Sequence, residues 1–350
     1  MAAPATVHAE QVQRDLDRWL ARLFAGESLG EAGAHALMGL WMAGAVDAVR
    51  GAAILGVLAG RRPRPDELAG FVRAMREHAT PVPIDPAGCV DTAGTGGDGL
   101  GTFNLSTAAA LVVAGAGVRV PKHGNVSVSS RCGSADVLRA AGVPIELGPE
   151  AAARALDAVG FAFLLAPRYH PSMRHVAPVR RALGVRTVFN LLGPLCNPAG
   201  VRRQVVGAYA PRAAACIADV LAHLGVERAA VVHGAGGADE LTLAGPSRLW
   251  VVEADGTVHQ ETVDPAALGL GHAPVEALAG GAPADNARLL EAVLQGSGGP
   301  LAEATCLNAA VALWVAGAAS SVADGLALAL DTVASGRALA VLEAARGMAA

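Results

Sequence analysis

The sequence predicts an α/β protein: a small all-helical N-terminal domain, then a larger α/β domain whose mostly parallel central sheet is flanked by helices. Three observations predict it. Residues 8–79 carry only helical patterning, the segment Pro81-Val-Pro-Ile-Asp-Pro86 then interrupts the chain, and beyond residue 87 short β-branched runs alternate with helical stretches. Strand–helix alternation calls for parallel strands covered on both faces, with ligands at the carboxyl ends of the strands. The boundary is expected near Pro86, giving domains at 1–85 and 86–350.

Each element has its own signal. Leu16, Trp19, Leu20, Leu23 and Phe24 recur at i, i+3, i+4, i+7 and i+8, one apolar stripe that stops at Gly26. A second helical region, rich in Ala, Leu and Met, covers about 30–59. A third opens at Pro65-Asp66-Glu67, with proline in the first turn and two acids complementing the helix dipole. In the second domain the strand candidates are 118–120, 143–147, 161–165, 204–209, 228–233 and 248–253. Helices are expected around 106–115, 134–141, 150–158, 213–224, 286–295 and, in several pieces, 301–347.

Composition sets limits on function. The chain is 53% hydrophobic but 3% aromatic, so its core is aliphatic and alanine-rich. A net charge of −4 argues against non-specific nucleic-acid binding, so an anionic ligand must be held by local groups. Cys89, Cys132, Cys196, Cys216 and Cys306 are scattered, odd in number and without a CxxC pair. That usage fits reduced, buried thiols of a cytosolic protein and offers no zinc signature. The start of the chain lacks a basic stretch followed by an apolar core, so no signal peptide is expected. The apolar runs 108–118 and 306–319 are too short, or interrupted by Asn308, to span a bilayer. A soluble cytoplasmic protein is expected.

Asp91-Thr-Ala-Gly-Thr-Gly-Gly-Asp-Gly-Leu-Gly-Thr-Phe-Asn-Leu-Ser-Thr107 is the most informative stretch. Gly94, Gly96, Gly97, Gly99 and Gly101 let the backbone approach a ligand, and Ser106 and Thr107 stand as N-cap residues at a helix mouth that attracts anions. Gly94, Gly96 and Gly99 satisfy GxGxxG, but the preceding 86–92 is a poor strand and no ribose-binding acid follows about 20 residues on. No Lys follows the glycines, which excludes a Walker loop.

A second cluster, Pro121 to Asp136, offers Lys122, Asn125, Ser127, Ser129 and Ser130 to phosphate oxygens, and Gly133-Ser134 opens another helix. Two such loops suit a ligand with two phosphate groups. Third, His233-Gly-Ala-Gly-Gly-Ala-Asp-Glu-Leu241 places Asp239 and Glu240 side by side at a strand end, hard oxygen donors suited to Mg²⁺ beside phosphates. Fourth, His170 to Gly184 carries Arg174, His175, Arg180 and Arg181, whose guanidinium forks match a carboxylate; for Arg181 a solvated surface position is the better reading. Asn190 to Pro198 reads as an ordered loop or hinge.

Taken in order, Gly94-Thr-Gly-Gly-Asp98, Asn104-Leu-Ser-Thr107, Lys122-His-Gly-Asn125, Gly133-Ser-Ala-Asp136, His170-Pro, Val179-Arg-Arg181, Phe189-Asn-Leu-Leu-Gly-Pro194 and Asp239-Glu240 closely resemble the anthranilate phosphoribosyltransferase family over nearly the whole chain. The resemblance implies a helical domain joined by the helical segment around 170–188 and hinged to the α/β domain. It also implies a homodimer built through the helical part, and phosphoribosyl pyrophosphate, Mg²⁺ (two ions per active site) and anthranilate as ligands. By motif, Gly94, Gly97, Asp98, Thr102, Asn104, Leu105, Ser106 and Thr107 hold phosphoribosyl pyrophosphate. Lys122, His123, Gly124, Asn125, Ser127, Ser129, Ser130 and Ser134 hold it from the second loop. Ser106, Asp239 and Glu240 serve the metal; Asn125 and Arg180 contact anthranilate, with Gly94, His123 and His170 near its path.

Two departures stand out. Position 126 is Val where the family shows Arg, which removes a charged fork beside the second loop, with Arg131 placed to compensate; the 45–50 segment also differs. The alternatives are the same chemistry on a different aromatic acceptor, a pyrimidine nucleoside phosphorylase of the same fold, and a nucleic-acid-binding relative that the net charge disfavours.

Overall fold

The computed structural model describes residues 4–61, 64–127 and 131–348. In chain order it contains α1 (Pro4–Phe24), α2 (Gly30–Met42), α3 (Ala48–Gly60), α4 (Pro65–Glu77), β1 (Asp91–Gly94), α5 (Leu105–Gly115), β2 (Val120–Gly124), α6 (Ser134–Ala140), α7 (Pro149–Val159) and β3 (Phe161–Leu165). The short α8 (Ala166–Tyr169), α9 (Ala177–Leu183) and α10 (Phe189–Leu192) follow, then β4 (Arg203–Gly207), α11 (Pro211–Leu224), β5 (Arg228–His233), β6 (Ser247–Glu253) and β7 (Val258–Val263). Four helices close the chain: α12 (Pro283–Leu294), α13 (Gly299–Ala316), α14 (Val322–Ala334) and α15 (Arg337–Arg346).

The chain divides into two compact units, residues 1–80 with 170–196 and residues 81–169 with 197–350. The helical insertion thus runs to Cys196, past the 170–188 stretch, and residues 81–85 go with the second unit.

In the helical unit, α1 buries Val12, Leu16, Trp19 and Leu23, a narrower stripe than expected, because Phe24 turns outward at 66% exposure. α3 is capped by Asp47, whose carboxylate accepts the N–H groups of Val49 and Arg50 at 3.0 Å each. α2 and α4 pack closely: a Cβ on Gly70 would lie 3.0 Å from the His35 nitrogen and 3.1 Å from Ala34 Cβ. Proline does start α4, but Glu67 does more than face the dipole. It is buried, accepts the Leu29 N–H at 2.7 Å and pairs with Arg61 at 2.6 Å.

In the α/β unit, β1, β4 and β5 are parallel neighbours, and β6 and β7 add antiparallel at one edge, giving the order β1-β4-β5-β6-β7. β2 and β3 form a separate parallel pair. The core is the aliphatic one expected, with α5 and α13 almost wholly buried. α13 is long and apolar enough to cross a membrane by length and composition, but 78% of it is buried inside this unit.

One strand expectation fails, and another shifts: the strand expected at 118–120 is β2, Val120–Gly124. The 143–147 segment is extended and buries Val143, Ile145 and Leu147, yet pairs with no strand; Pro144 removes a donor a ladder would need. β1 and β7 are additions to the expected set. β1 is four residues whose strand character comes from its ladder with β4, and β7 is a mostly exposed polar edge.

Candidate functional site

The loop after β1 needs its glycines. Gly96, Gly97, Gly99 and Gly101 have φ of 63°, 78°, 82° and 65°, a region that side chains rarely adopt. Contrary to the sequence reading, a strand does precede this loop. A second correction concerns the helix mouth: α5 begins at Leu105 with Asn104 as N-cap, so Ser106 and Thr107 lie inside the first turn. Leu105 has its side chain in the core, and its N–H donates to the Phe103 carbonyl at 2.7 Å. Thr107 is fully buried, and its hydroxyl has no partner among the described residues. Asn104 is committed to structure: its amide donates to the Cys132 carbonyl at 3.2 Å and accepts from Asn286 at 2.8 Å. Thr102 bridges to Ala279. The half-exposed Ser106 bonds through its N–H and carbonyl, and its hydroxyl has no partner among the described residues.

Asp239 and Glu240 do turn toward this loop. Asp239 accepts the Gly96 N–H at 2.7 Å, Glu240 accepts the Ser106 N–H at 2.7 Å, and the Asp239 N–H donates to Asp98 at 3.3 Å. The fit depends on small neighbours. A Cβ on Gly94 would stand 2.8 Å from Asp239 Oδ2, one on Gly207 would overlap the Asp239 carbonyl oxygen, and one on Gly234 that of Glu240. Asn308 of α13, which the sequence offered only as a flaw in an apolar run, pins the next residue. It accepts the Leu241 N–H at 3.0 Å and donates to the Leu241 carbonyl at 2.8 Å. Burial pushes both acids well above the ordinary carboxylate range, and the negative charges of Asp98 on Asp239, and of Asp239 on Glu240, add to it.

Lys122 sits differently from the expectation. It is 1% exposed, and its ammonium donates to the Thr92 carbonyl and, at 3.4 Å, to the Thr92 hydroxyl. Burial disfavours its charge while Asp91 and Glu240 favour it. Asp91 is fully enclosed; burial raises its pKa to about 6 against the pull of Lys122. One oxygen accepts the His123 N–H at 3.2 Å and the other the Asn197 amide at 2.8 Å, and Asn197 also donates to the Pro121 carbonyl at 2.8 Å. Asp91 and Asn197 therefore tie β1 to β2 across the gap between the two sheets. Sequence reasoning gave neither residue a role, because the partners lie far apart along the chain.

In the second loop, Asn125 is exposed, with its side-chain oxygen on the Val126 N–H at 2.8 Å. Its carbonyl accepts the Ser134 hydroxyl at 3.2 Å, and Phe163 and Ser134 crowd Gly124. The mouth of α6 was expected to offer free N–H groups, but Asp136 already accepts from Ser127 and Gly133, both at 2.9 Å. Ser129 and Ser130 lie outside the described residues.

Arg180 and His170 belong to the helical unit. Arg180, in the last turn of α9, is half-buried, and among the described residues its guanidinium bonds no acid; it lies 5.3 Å from the Phe189 ring centroid. His170 is buried and its Nε2 meets the Cys196 carbonyl at 2.9 Å, a structural bond rather than a free base; burial lowers its pKa. Arg174 and Arg181 are exposed.

The α/β-unit residues gather a crevice lined by Gly94, Ser106, Gly207, Asp239, Glu240 and Asn308. Among the described residues no three His, Cys, Asp or Glu side chains form a complete metal cage. Two buried acids and a hydroxyl still suit Mg²⁺, which keeps water and takes oxygens from phosphates. Their excess negative charge is what a cation would offset.

Comparison with known proteins shows the family. Residues 87–339 match the glycosyl transferase family a/b domain, and residues 18–79 its helical bundle domain. The chain is 51% identical over 308 residues to the anthranilate phosphoribosyltransferase of Pelotomaculum thermopropionicum, covering 88% of this chain and 89% of that one. It is similar to the crystal structure of the Thermus thermophilus anthranilate phosphoribosyltransferase, with TM-score 0.88, 48% identity, and 94% and 98% of the two chains covered. The Saccharomyces cerevisiae enzyme in complex with PRPP and Mg matches with TM-score 0.84 and 27% identity, over 94% of this chain and 96% of that one.

Proposed function

The chain belongs to the anthranilate phosphoribosyltransferase family, and from that premise we propose how its own residues perform the family's reaction. The enzyme transfers the phosphoribosyl group of phosphoribosyl pyrophosphate to the amine of anthranilate, giving N-(5-phosphoribosyl)anthranilate and pyrophosphate, the second step of tryptophan biosynthesis from chorismate. The observation that carries the residue-level reading is the acid pair Asp239–Glu240, backed onto the N–H groups of Gly96 and Ser106 beside the glycine loop.

Transfer breaks the bond from the anomeric carbon to pyrophosphate oxygen and forms one to the anthranilate nitrogen, which then loses a proton. Positioning and charge stabilisation supply most of the catalysis. Mg²⁺, two ions per active site in this reading, offsets the charge of the departing pyrophosphate. Asp239, Glu240 and the Ser106 hydroxyl hold it. Gly94, Gly97, Asp98, Thr102 and the Asn104–Thr107 turn line the diphosphate. The second loop, with His123, Gly124, Asn125, Ser127 and Ser134, lines the rest of the sugar phosphate, and Ser129 and Ser130 are assigned to it by motif. Lys122 acts from behind, its ammonium buried near Asp91 and Glu240. Arg180 and Asn125 orient the acceptor, the guanidinium on its carboxylate, and a strong general base is not required.

A homodimer through the helical unit is part of the reading, supported by Val49 and Phe24 lying 80% and 66% exposed there. A cytoplasmic setting is supported by five free cysteines. The test is direct: anthranilate fluorescence must fall when phosphoribosyl pyrophosphate and Mg²⁺ are both added. A protein that leaves the signal unchanged with both present refutes the assignment.

A further inference from the structure

Resting on that reading, we propose that Phe189 is a positioning residue for acceptor recognition: its ring, braced by Trp41, fixes the plane of the Arg180 guanidinium so that the edge of the fork is presented to the acceptor carboxylate. The chain has only six Phe, four Trp and two Tyr, so two aromatic rings beneath one arginine is a concentrated use of a scarce residue type. The Arg180 Cζ lies 5.3 Å from the Phe189 centroid, within cation–π range. Phe189 in turn meets Trp41 edge-on, with centroids 5.8 Å apart and planes at 83°.

Both rings are buried, at 5% and 1% exposure. The indole N–H of Trp41 has no hydrogen-bond partner among the described residues, so what Trp41 contributes is its ring. Gly51 of α3 makes room for it: a Cβ there would lie 3.1 Å from Trp41 Cζ2 and 3.8 Å from Val179, the residue before Arg180. The turn carrying Phe189 is clamped by Asn190, whose side-chain oxygen accepts the Thr187 N–H at 2.9 Å.

Four arginines of this unit make the contrast. Arg22, Arg50, Arg61 and Arg73 pair with Glu27, Asp17, Glu67 and Glu31 at 3.1, 2.9, 2.6 and 2.7 Å. Arg180 pairs with no acid among the described residues; Arg174 and Arg181 share that but are exposed, and Arg76 is held by the Leu195 carbonyl, whereas Arg180 is half-buried against the Phe189 ring. A guanidinium is planar in any setting; a ring against its face limits its rotation and leaves its N–H edge free for the paired hydrogen bonds that a planar carboxylate accepts. The fold has thus given Arg180 an orientation and left its charge for a ligand.

The experiment replaces Phe189 by 3,4,5-trifluorophenylalanine, which keeps the ring and nearly its volume but strips the negative face, alongside Phe189→Leu and Phe189→Tyr. With phosphoribosyl pyrophosphate and Mg²⁺ present, the fluorinated protein should show an anthranilate KM raised about three- to thirty-fold, with kcat and the phosphoribosyl pyrophosphate KM within about twofold of wild type. Its melting temperature should not change. Phe189→Leu should raise the same KM, and Phe189→Tyr should restore it. An unchanged anthranilate KM in the fluorinated protein, or a fall in kcat with KM constant, overturns the inference. Failure of the parent reading looks different: the wild-type protein itself would consume no anthranilate.

Discussion

Replacing Gly207 by alanine tests whether the acid pair works by placement. Gly207 ends β4, opposite Gly94 on one side and Val232 on the other. Its φ is outside the left-handed region, so alanine fits the backbone and any effect comes from the added methyl. That methyl would overlap the Asp239 carbonyl oxygen and stand 2.9 Å from its carbon, where ordinary contact begins at 3.4 Å. The Asp239 carbonyl oxygen, 1.8 Å from the added carbon where 3.0 Å is the practical minimum, must therefore retreat by about 1.2 Å, while the residue is held by Asp98 and Gly96. Overpacking of this kind costs about 1–3 kcal/mol, or roughly 2–10 °C in Tm for a unit of this size. A displacement on the order of 1 Å at the acids should cut turnover about ten- to a hundred-fold, most strongly at low Mg²⁺. Initial rates of anthranilate fluorescence loss across a Mg²⁺ titration, with a thermal melt, give both quantities. Gly56→Ala is the control: it lies inside α3 with nothing within 4 Å of the added carbon, so it should leave the rate alone and stabilise by about 0.5–1 kcal/mol. A Gly207→Ala enzyme with wild-type Mg²⁺ dependence and rate would refute the reasoning, even if it melted earlier.

Other outcomes follow from the same contacts. Arg180→Ala should chiefly raise the anthranilate KM, by about ten-fold or more, and steady-state kinetics showing an unaltered KM would remove Arg180 from the acceptor site. Asp239→Asn combined with Glu240→Gln should abolish Mg²⁺-dependent turnover; full activity in the double variant would end the metal assignment. The same variant tests the pH linkage. Carboxyl groups raised in the folded state stabilise most below their unfolded pKa, and that contribution is lost as pH rises through the folded values. Melts in EDTA should therefore fall as pH rises through neutrality in the wild type, and the decline should be shallower in the double variant. Asn197→Ala leaves the Asp91 carboxylate and the Pro121 carbonyl short of a buried donor, a loss of about 3 kcal/mol and about 6–12 °C in Tm; a melt within about 2 °C of wild type, about 1 kcal/mol, would show the clip to be dispensable.

Local signals told most of the fold, and non-local ones told what local signals could not. The stripe in α1, the proline start of α4 and the apolar runs of β3, β5 and β6 are carried by neighbouring residues, so they were legible. Asp91-Thr-Ala-Gly94 has no apolar run, and only its ladder with β4 makes it a strand. The alternation of Val143, Ile145 and Leu147 is a burial signal that imitates a pairing signal. In the site, the glycine loop and the adjacent acids were legible because their chemistry is written in consecutive residues. The position of Lys122 was not, because the groups that draw it inward, Thr92, Asp91 and Glu240, come from elsewhere in the chain. Asn197 and Asn308 are silent in the sequence for the same reason: a single amide takes its meaning from what folding brings to it.

The polar edge at β7 has a consequence for how the molecule behaves in a crowded solution. One face of Val258–Val263 presents His259 and Glu261, 3.2 Å apart, at the border of an otherwise apolar five-stranded sheet. A bare hydrophobic border would template the addition of foreign strands, whereas charge there makes stacking of one copy's sheet onto another's unfavourable. Mutating both residues to valine should therefore leave catalysis intact yet promote fibrous or amorphous precipitation on gentle heating.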